Sequence, residues 1–332
     1  MKSIKPYLLL FTCLIFSTNA FSQYTEVINS NRPGVSSSAF SIGTNVIQLE
    51  LGPYILKEEH TPLKYEVLGF GVDFAVRSGL LLEQLEINLE GTYQNDTFTD
   101  NRSAISSENK RSNFKSFTLG AKYLVFDPYK NAEEDKPNLY SWKANRGFKW
   151  KSLIPAVAVY AGVNYDTKNN PYIAPGVEGI SPKVMIATQN NFAGGWVFVM
   201  NLIKDRIGSD QSDFQYILTL THSFNPKWVV FGEAQGIKSD FYSDNLFRFG
   251  GAYLMSKDFQ FDTALTFNTK DTPSVFSVNF GASYRFDFHQ DKEIDNNSSA
   301  KDERRRKSRG QKKKKKSKRK QQNFNEDDGG LM

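Results

Sequence analysis

The sequence predicts an all-β protein: a transmembrane antiparallel β-barrel of about twelve strands, ending in a disordered tail. Three observations predict it. The chain repeats segments of about ten residues that are apolar at every second position, the period of a strand with one face on lipid and the other on a lumen. Beyond one short N-terminal run, no apolar stretch reaches the roughly 18 residues that a membrane helix needs. The apolar rows are rich in aromatic residues, with Phe 27 and Tyr 15 in 332 positions, as girdles at membrane interfaces are. A soluble sandwich shows the same alternation, but here the opposite face carries charges and glycines.

Residues 1–22 read as a signal peptide: Lys2 and Lys5 precede an apolar stretch from Tyr7 to Phe16, and Ala20 and Ser22 form a small-x-small ending. The single cysteine, Cys13, lies inside that stretch. The mature chain is therefore expected to have no disulfide, thiolate nucleophile or cysteine-bound metal. Export without a membrane helix leaves a closed β-barrel as the way to live in a membrane.

Residues 23–43 form a lead-in that contains Asn31, Arg32, Pro33 and Gly34 and a serine-rich stretch. It is expected to be a plug inside the lumen, with Arg32 meeting an inward carboxylate, or a tether pinned by its Pro-Gly turn.

Residues 44–288 carry the strands. The first sets Ile47, Leu49, Leu51 and Ile55 against Gln48, Glu50 and Tyr54, and the second sets Leu68, Phe70, Val72, Phe74 and Val76 against Asp73 and Arg77. The last sets Phe276, Val278, Phe280, Ala282, Tyr284, Phe286 and Phe288 against Ser277, Asn279, Gly281, Ser283, Arg285 and Asp287. Similar rows begin near Leu85, Phe117, Val157, Tyr216, Phe247 and Phe259, and weaker strands fall around 182–192, 194–204 and 228–238. Short turns are expected at "NFAGG", "NPKW" and "SKDF", and long polar outer loops at 95–113 and 166–181. The segment 127–151 departs from the pattern, being long where a short turn belongs.

The alternation aims Glu50, Asp73, Arg77, Glu86, Glu90, Lys122, Glu233, Arg248, Asp262 and Arg285 into the lumen. Mixed charges there can set up a transverse field that orients solutes, or pair across strands to satisfy one another.

Several stretches carry a resemblance: Asn31 to Gly34, then Gln48, Glu50 and Gly52 in a Gln-x-Glu-x-Gly strand, "VRSGLLLEQLEINL", "LGAKYLVF", "WVVFGEAQG", "FGGAYLMSKDFQFDTAL" and a terminal Gly-x-x-Tyr-x-Phe strand. In these the chain resembles the outer-membrane transporter family of the MetA-pathway of phenol degradation, barrels of the kind found in Bacteroidota and Proteobacteria. The resemblance implies a porin-like barrel and passage of small, aromatic solutes. The 127–151 insertion and the basic tail depart from that family's usual pattern.

No catalytic residue, metal site or cofactor is expected. The histidines number 3, His60, His222 and His289, and neither a Gly-x-Ser-x-Gly elbow nor a His-Glu-x-x-His pair occurs. His222 beside Ser223 is the one pairing that a membrane lipase could use. Residues 289–332 hold 15 basic and 8 acidic residues against 42 and 36 in the whole chain, so the body is near neutral. The run Arg304, Arg305, Arg306, Lys307, Lys312, Lys313, Lys314, Lys315 and Lys316 has the footprint of nucleic-acid binding. A barrel in the bacterial outer membrane with both termini in the periplasm would not meet the genome. Anionic lipid or cell-wall groups are then the tail's expected partners. The sequence thus points to a channel for small solutes in outer-membrane lipid; the alternative is a structural or assembly protein anchored to the wall or a partner complex by its tail.

Overall fold

The computed structural model describes residues 27–79, 82–129, 150–174, 176–240 and 242–289. The expected leader, the basic tail and most of the 127–151 insertion lie outside these residues. The alternating segments form β1 (Val46–His60), β2 (Tyr65–Gly79), β3 (Leu85–Asp100), β4 (Ser107–Phe126), β5 (Ala156–Asp166), β6 (Gly179–Phe192), β7 (Trp196–Asp205), β8 (Asp213–Ser223), β9 (Trp228–Ser239), β10 (Ser243–Ser256), β11 (Phe259–Asn268) and β12 (Ser274–Asp287). Each strand pairs antiparallel with its chain neighbours, and β12 pairs with β1, so the sheet closes. Closure leaves no free sheet edge of the kind lipid cannot satisfy.

Side chains sort by the period of two. Along β1, Val46, Gln48, Glu50 and Tyr54 are buried, whereas Ile47, Leu49, Leu51 and Ile55 are exposed. A register slip of one residue would exchange these sets. Large exposed apolar side chains continue around the outside, among them Leu68, Leu119, Val163, Ile186, Leu218, Phe249 and Phe280. A band of this extent is a liability in water and suits lipid.

Antiparallel order puts the connections 80–84, 193–195, 224–227 and 257–258 on one rim, and 61–64, 101–106, 167–178, 206–212, 240–242 and 269–273 on the other. The ends of the described chain share the first, or terminal, rim: the Ile28 amide donates to the Lys257 carbonyl at 2.8 Å, and the Phe288 amide to the Asn45 carbonyl at 3.0 Å. The 127–151 segment also departs from this rim, between β4 and β5, and its described part contains a single 3-10 turn, Trp150–Leu153. The parity of the strands therefore survives the insertion.

The expected outer loop 95–113 is corrected. Residues 95–100 and 107–113 belong to β3 and β4, and only 101–106 connect them. The hairpin is laced by polar pairs, Asp96 opposite Arg111 and Thr99 opposite Glu108, with Arg111 Nε 2.7 Å from Asp96. Backbone pairing does not depend on side-chain polarity, so a strand polar on both faces shows no alternation to read. The expected loop 166–181 shortens to 167–178 for a similar reason.

Above Thr118 the ladder between β4 and β5 ends, and side chains of the 167–178 loop take over. Asn170 donates to the Phe114 carbonyl at 2.7 Å, and the Tyr172 hydroxyl lies 3.1 Å from the carbonyl of Arg111. Burial, then the charge of Asp96, push the Tyr172 phenol up, keeping it a neutral donor at ordinary pH.

Candidate functional site

The interior of a barrel of eight strands is just filled by its own side chains. Twelve strands enclose more room, and what enters it is the chain's own residues 27–45. Ala39 sits fully buried in an apolar cluster with Leu124, Ala156, Ala158 and Met185 of the wall.

On the β1–β4 side the lead-in meets charge. The Arg77 guanidinium binds both Glu86 oxygens at 2.9 Å, Glu50 at 3.2 Å and the Asn29 carbonyl at 2.7 Å. Lys122 Nζ stands 3.3 Å from Glu86 and donates to the carbonyls of Ser38 at 2.8 Å and Phe40 at 3.1 Å. The Ile42 amide donates to Glu86 at 3.1 Å and the Asn31 amide to Glu50 at 3.3 Å. Gln48 donates to Glu50 and to the Asn29 carbonyl. Arg77 is 1% exposed and Glu86 and Lys122 are 0% exposed, so these charges work without water between them and strengthen accordingly. The cluster is at once self-paired across β1 to β4 and a clamp on a chain segment.

The other side holds the lead-in by single groups. Glu233 accepts the amides of Val35 and Ser36 at 3.2 Å, the Thr219 hydroxyl at 2.8 Å and Arg248 at 3.0 Å. Asn201 accepts the Ser37 amide at 2.6 Å and donates to its carbonyl at 2.9 Å, pairing with a whole peptide unit as a neighbouring strand would. Ser38 Oγ donates to Gln189 at 2.7 Å, Gln260 donates to the Arg32 carbonyl at 3.2 Å, and Ser30 and Ser283 hydroxyls lie 2.8 Å apart.

Arg32 reaches the far end of the sequence, on β11 and β12. Its Nη2 pairs with Asp262 at 3.2 Å, and its guanidinium lies against Gly52 of β1 and Gly281 of β12, where any Cβ would collide with it. The two glycines make a notch in the wall into which a flat cation fits. Asn-Arg-Pro-Gly, Gln-x-Glu-x-Gly and Gly-x-x-Tyr-x-Phe, three separate stretches of the sequence, therefore meet at one place.

Of the remaining inward charges read from the sequence, Asp73 accepts the Thr92 hydroxyl at 2.7 Å, Glu90 pairs with Lys183 at 2.7 Å, and Arg285 is held near the terminal rim by Asp258 at 2.8 Å and Asp287 at 3.5 Å. Asn201, Gln189, Thr219 and Gln260 were not foreseen. A signal existed for Asn201, an amide alternating with apolar residues in "VFVMNLIKD", but attention to charge alone passes over it. His222 and Ser223 face opposite ways: His222 stacks on Trp196 with centroids 4.2 Å apart, while Ser223 lines an interior cavity. Adjacent strand residues cannot share a substrate on one face.

A family model described as "Putative MetA-pathway of phenol degradation" matches residues 30–286. Among solved structures, an outer membrane channel from Pseudomonas putida F1 is 9% identical with a TM-score of 0.50, over 78% of this chain and 100% of its own. The translocator domain of autotransporter NalP from Neisseria meningitidis is 12% identical with a TM-score of 0.43, over 74% of this chain and 89% of its own. The toluene transporter TodX of Pseudomonas putida is 8% identical with a TM-score of 0.41, over 81% and 99%. At that identity the likeness to the first channel shows the fold. No curated protein matches the sequence.

Proposed function

The chain belongs to the family described by the MetA-pathway of phenol degradation, and on that footing we propose that it is an outer-membrane channel for diffusion of small solutes, aromatic ones among them. One observation carries the reading: the lumen is occupied by a segment that, among the described residues, continues into the wall at Val46 and is held elsewhere by noncovalent contacts. A barrel that served only as an anchor would gain nothing from a wide lumen closed by a removable segment. In the mechanism, residues 27–45 occupy the lumen at rest and their displacement toward the terminal rim opens it. Selection then falls to lumen width and charge, with no chemistry and no cofactor. The opposed orientation of His222 and Ser223 supports the absence of catalysis. We place the terminal rim, with the start of the lead-in and the tail, on the periplasmic side.

Liposomes containing the refolded chain are expected to swell in small aromatic acids, and less in sugars of similar size. Protein shown to be folded by its heat-dependent gel mobility, yet silent in both solutes with the lead-in present or removed, would end the channel reading. Deleting residues 290–332, which spares the contact of His289 with Thr44, is expected to leave swelling unchanged. Loss of swelling on that deletion would favour the anchoring role of the tail instead.

A further inference from the structure

The lumen near the terminal rim is divided by chemistry. β1 to β4 present Gln48, Glu50, Arg77, Glu86 and Lys122, all engaged as above. Opposite them, Val197, Val199, Val229, Phe231, Ala252 and Leu254 of β7, β9 and β10 face a cavity of about 350 Å³ whose other wall is the lead-in from Val27 to Ser38. Val199, Phe231 and Ala252 are buried, so they are sheltered from bulk water yet turned to a void. Where these side chains border the void, that part of their apolar surface has no protein atoms against it. They are placed to gain when something apolar fills the space.

Size and polarity narrow the occupant. An apolar cavity of about 150 Å³ already takes benzene, so this one has room for a substituted ring. Thr221, Ser223 and Gln260 supply neutral hydrogen-bonding groups around it. The one cation among the lining residues, Arg32, is already paired with Asp262. The Arg32 Nε is buried without a partner, but its charge is already balanced by Asp262, so an entering carboxylate would be a second anion beside one cation, whereas a neutral hydroxyl would find partners at no cost in charge.

We propose that this cavity binds one small, ring-sized apolar molecule bearing a neutral hydroxyl group, and that its binding holds the lead-in docked. The assignment rests on the channel reading and adds a ligand-dependent brake to it. Because residues 27–38 form one wall, a molecule that fills the cavity binds the docked state better than the undocked one, and linkage requires it to stabilise docking in return.

The test uses the full chain refolded in detergent micelles, with 4-fluorophenol as probe read by fluorine NMR. A saturable shift is expected with the native chain. Ala252→Phe, which fills the void, abolishes it, and Val199→Asp, which puts a carboxylate on the apolar wall, weakens it about tenfold. 4-Fluorobenzoate gives no saturable shift. In planar bilayers, 4-fluorophenol lowers the ion conductance of the native chain and leaves that of Ala252→Phe unchanged. Equal responses of the native chain and Ala252→Phe, both folded by gel mobility, would mean partition into detergent and overturn the site, as would no saturable response at all. Equal binding of the benzoate would overturn the hydroxyl assignment. Conductance in the absence of probe is a separate readout: if it persists while probe binding fails, this inference falls and the channel reading stands.

Discussion

Replacing both Ser30 and Ser283 by cysteine is expected to make conductance redox-dependent, with the oxidised protein conducting about tenfold less than the reduced one, or lower still. The two hydroxyl oxygens lie 2.8 Å apart, so cysteine sulfurs in their place would start near one another and need only side-chain rotation and a small shift of the lead-in to reach disulfide geometry. The sequence has one cysteine, Cys13, within the segment read as a leader, so no native thiol of the mature chain would compete. The bond would turn a reversible contact into a covalent one and remove the undocked population. Reduction with dithiothreitol should restore it. The opposite change is Glu233→Gln, which takes a negative charge from the amides of Val35 and Ser36 and from Arg248. Hydrogen bonds to a charged group contribute about 1.5–3 kcal/mol, so loss of one such charge should raise the open population about tenfold or more. An oxidised double-cysteine protein that conducts as well as the reduced one would show that residues 27–45 are not what closes the lumen.

The barrel was legible because its governing pattern is local. A strand with lipid on one side must alternate, and alternation in β1, β2 or β12 is visible in a window of ten residues. Where that constraint lapses, reading fails, as in the β3–β4 hairpin with Arg111 opposite Asp96. The clamp on the lead-in is of another kind. Arg32 and Asp262 are 230 positions apart, and Gly52 and Gly281 become neighbours only because β1 closes on β12. From the sequence, Arg32 could be expected to meet an inward carboxylate, but not which one, and the notch that receives it is made of residues with no side chain to notice. The inward set was readable as a list of charges. That Glu50, Glu86, Lys122 and Glu233 bind backbone groups of one segment is a fact of the closed structure alone.

Arg77→Met is expected to be the most damaging single substitution in the barrel, though it changes no residue that faces lipid. The native guanidinium satisfies Glu86 through two parallel bonds and Glu50 through a third. Without it, two carboxylates that are 3% and 0% exposed share one lysine, Lys122, and a few neutral donors. Breaking a buried ion pair by removing one partner typically destabilises by about 3–5 kcal/mol. Here the Asn29 carbonyl also loses the shorter of its two bonds and keeps only that from Gln48 at 3.2 Å, so conductance should rise as stability falls. The midpoint of urea unfolding in lipid vesicles, followed by heat-dependent gel mobility, would show the loss. Adding Glu50→Gln and Glu86→Gln to Arg77→Met should recover much of the midpoint, because the cost comes from stranded charge and not from the missing side-chain volume. Conductance should stay high, since the triple variant still lacks the guanidinium bond to Asn29 and the two carboxylates that receive the Asn31 and Ile42 amides. Arg102→Ala is the contrast: its pair with Asp100 is short, at 2.5 Å, but Arg102 is 66% exposed, and such pairs contribute little in water. Its midpoint should not move. If Arg77→Met and Arg102→Ala shift the midpoint alike, the inner cluster is hydrated in practice, and its grip on the lead-in is weaker than its geometry implies.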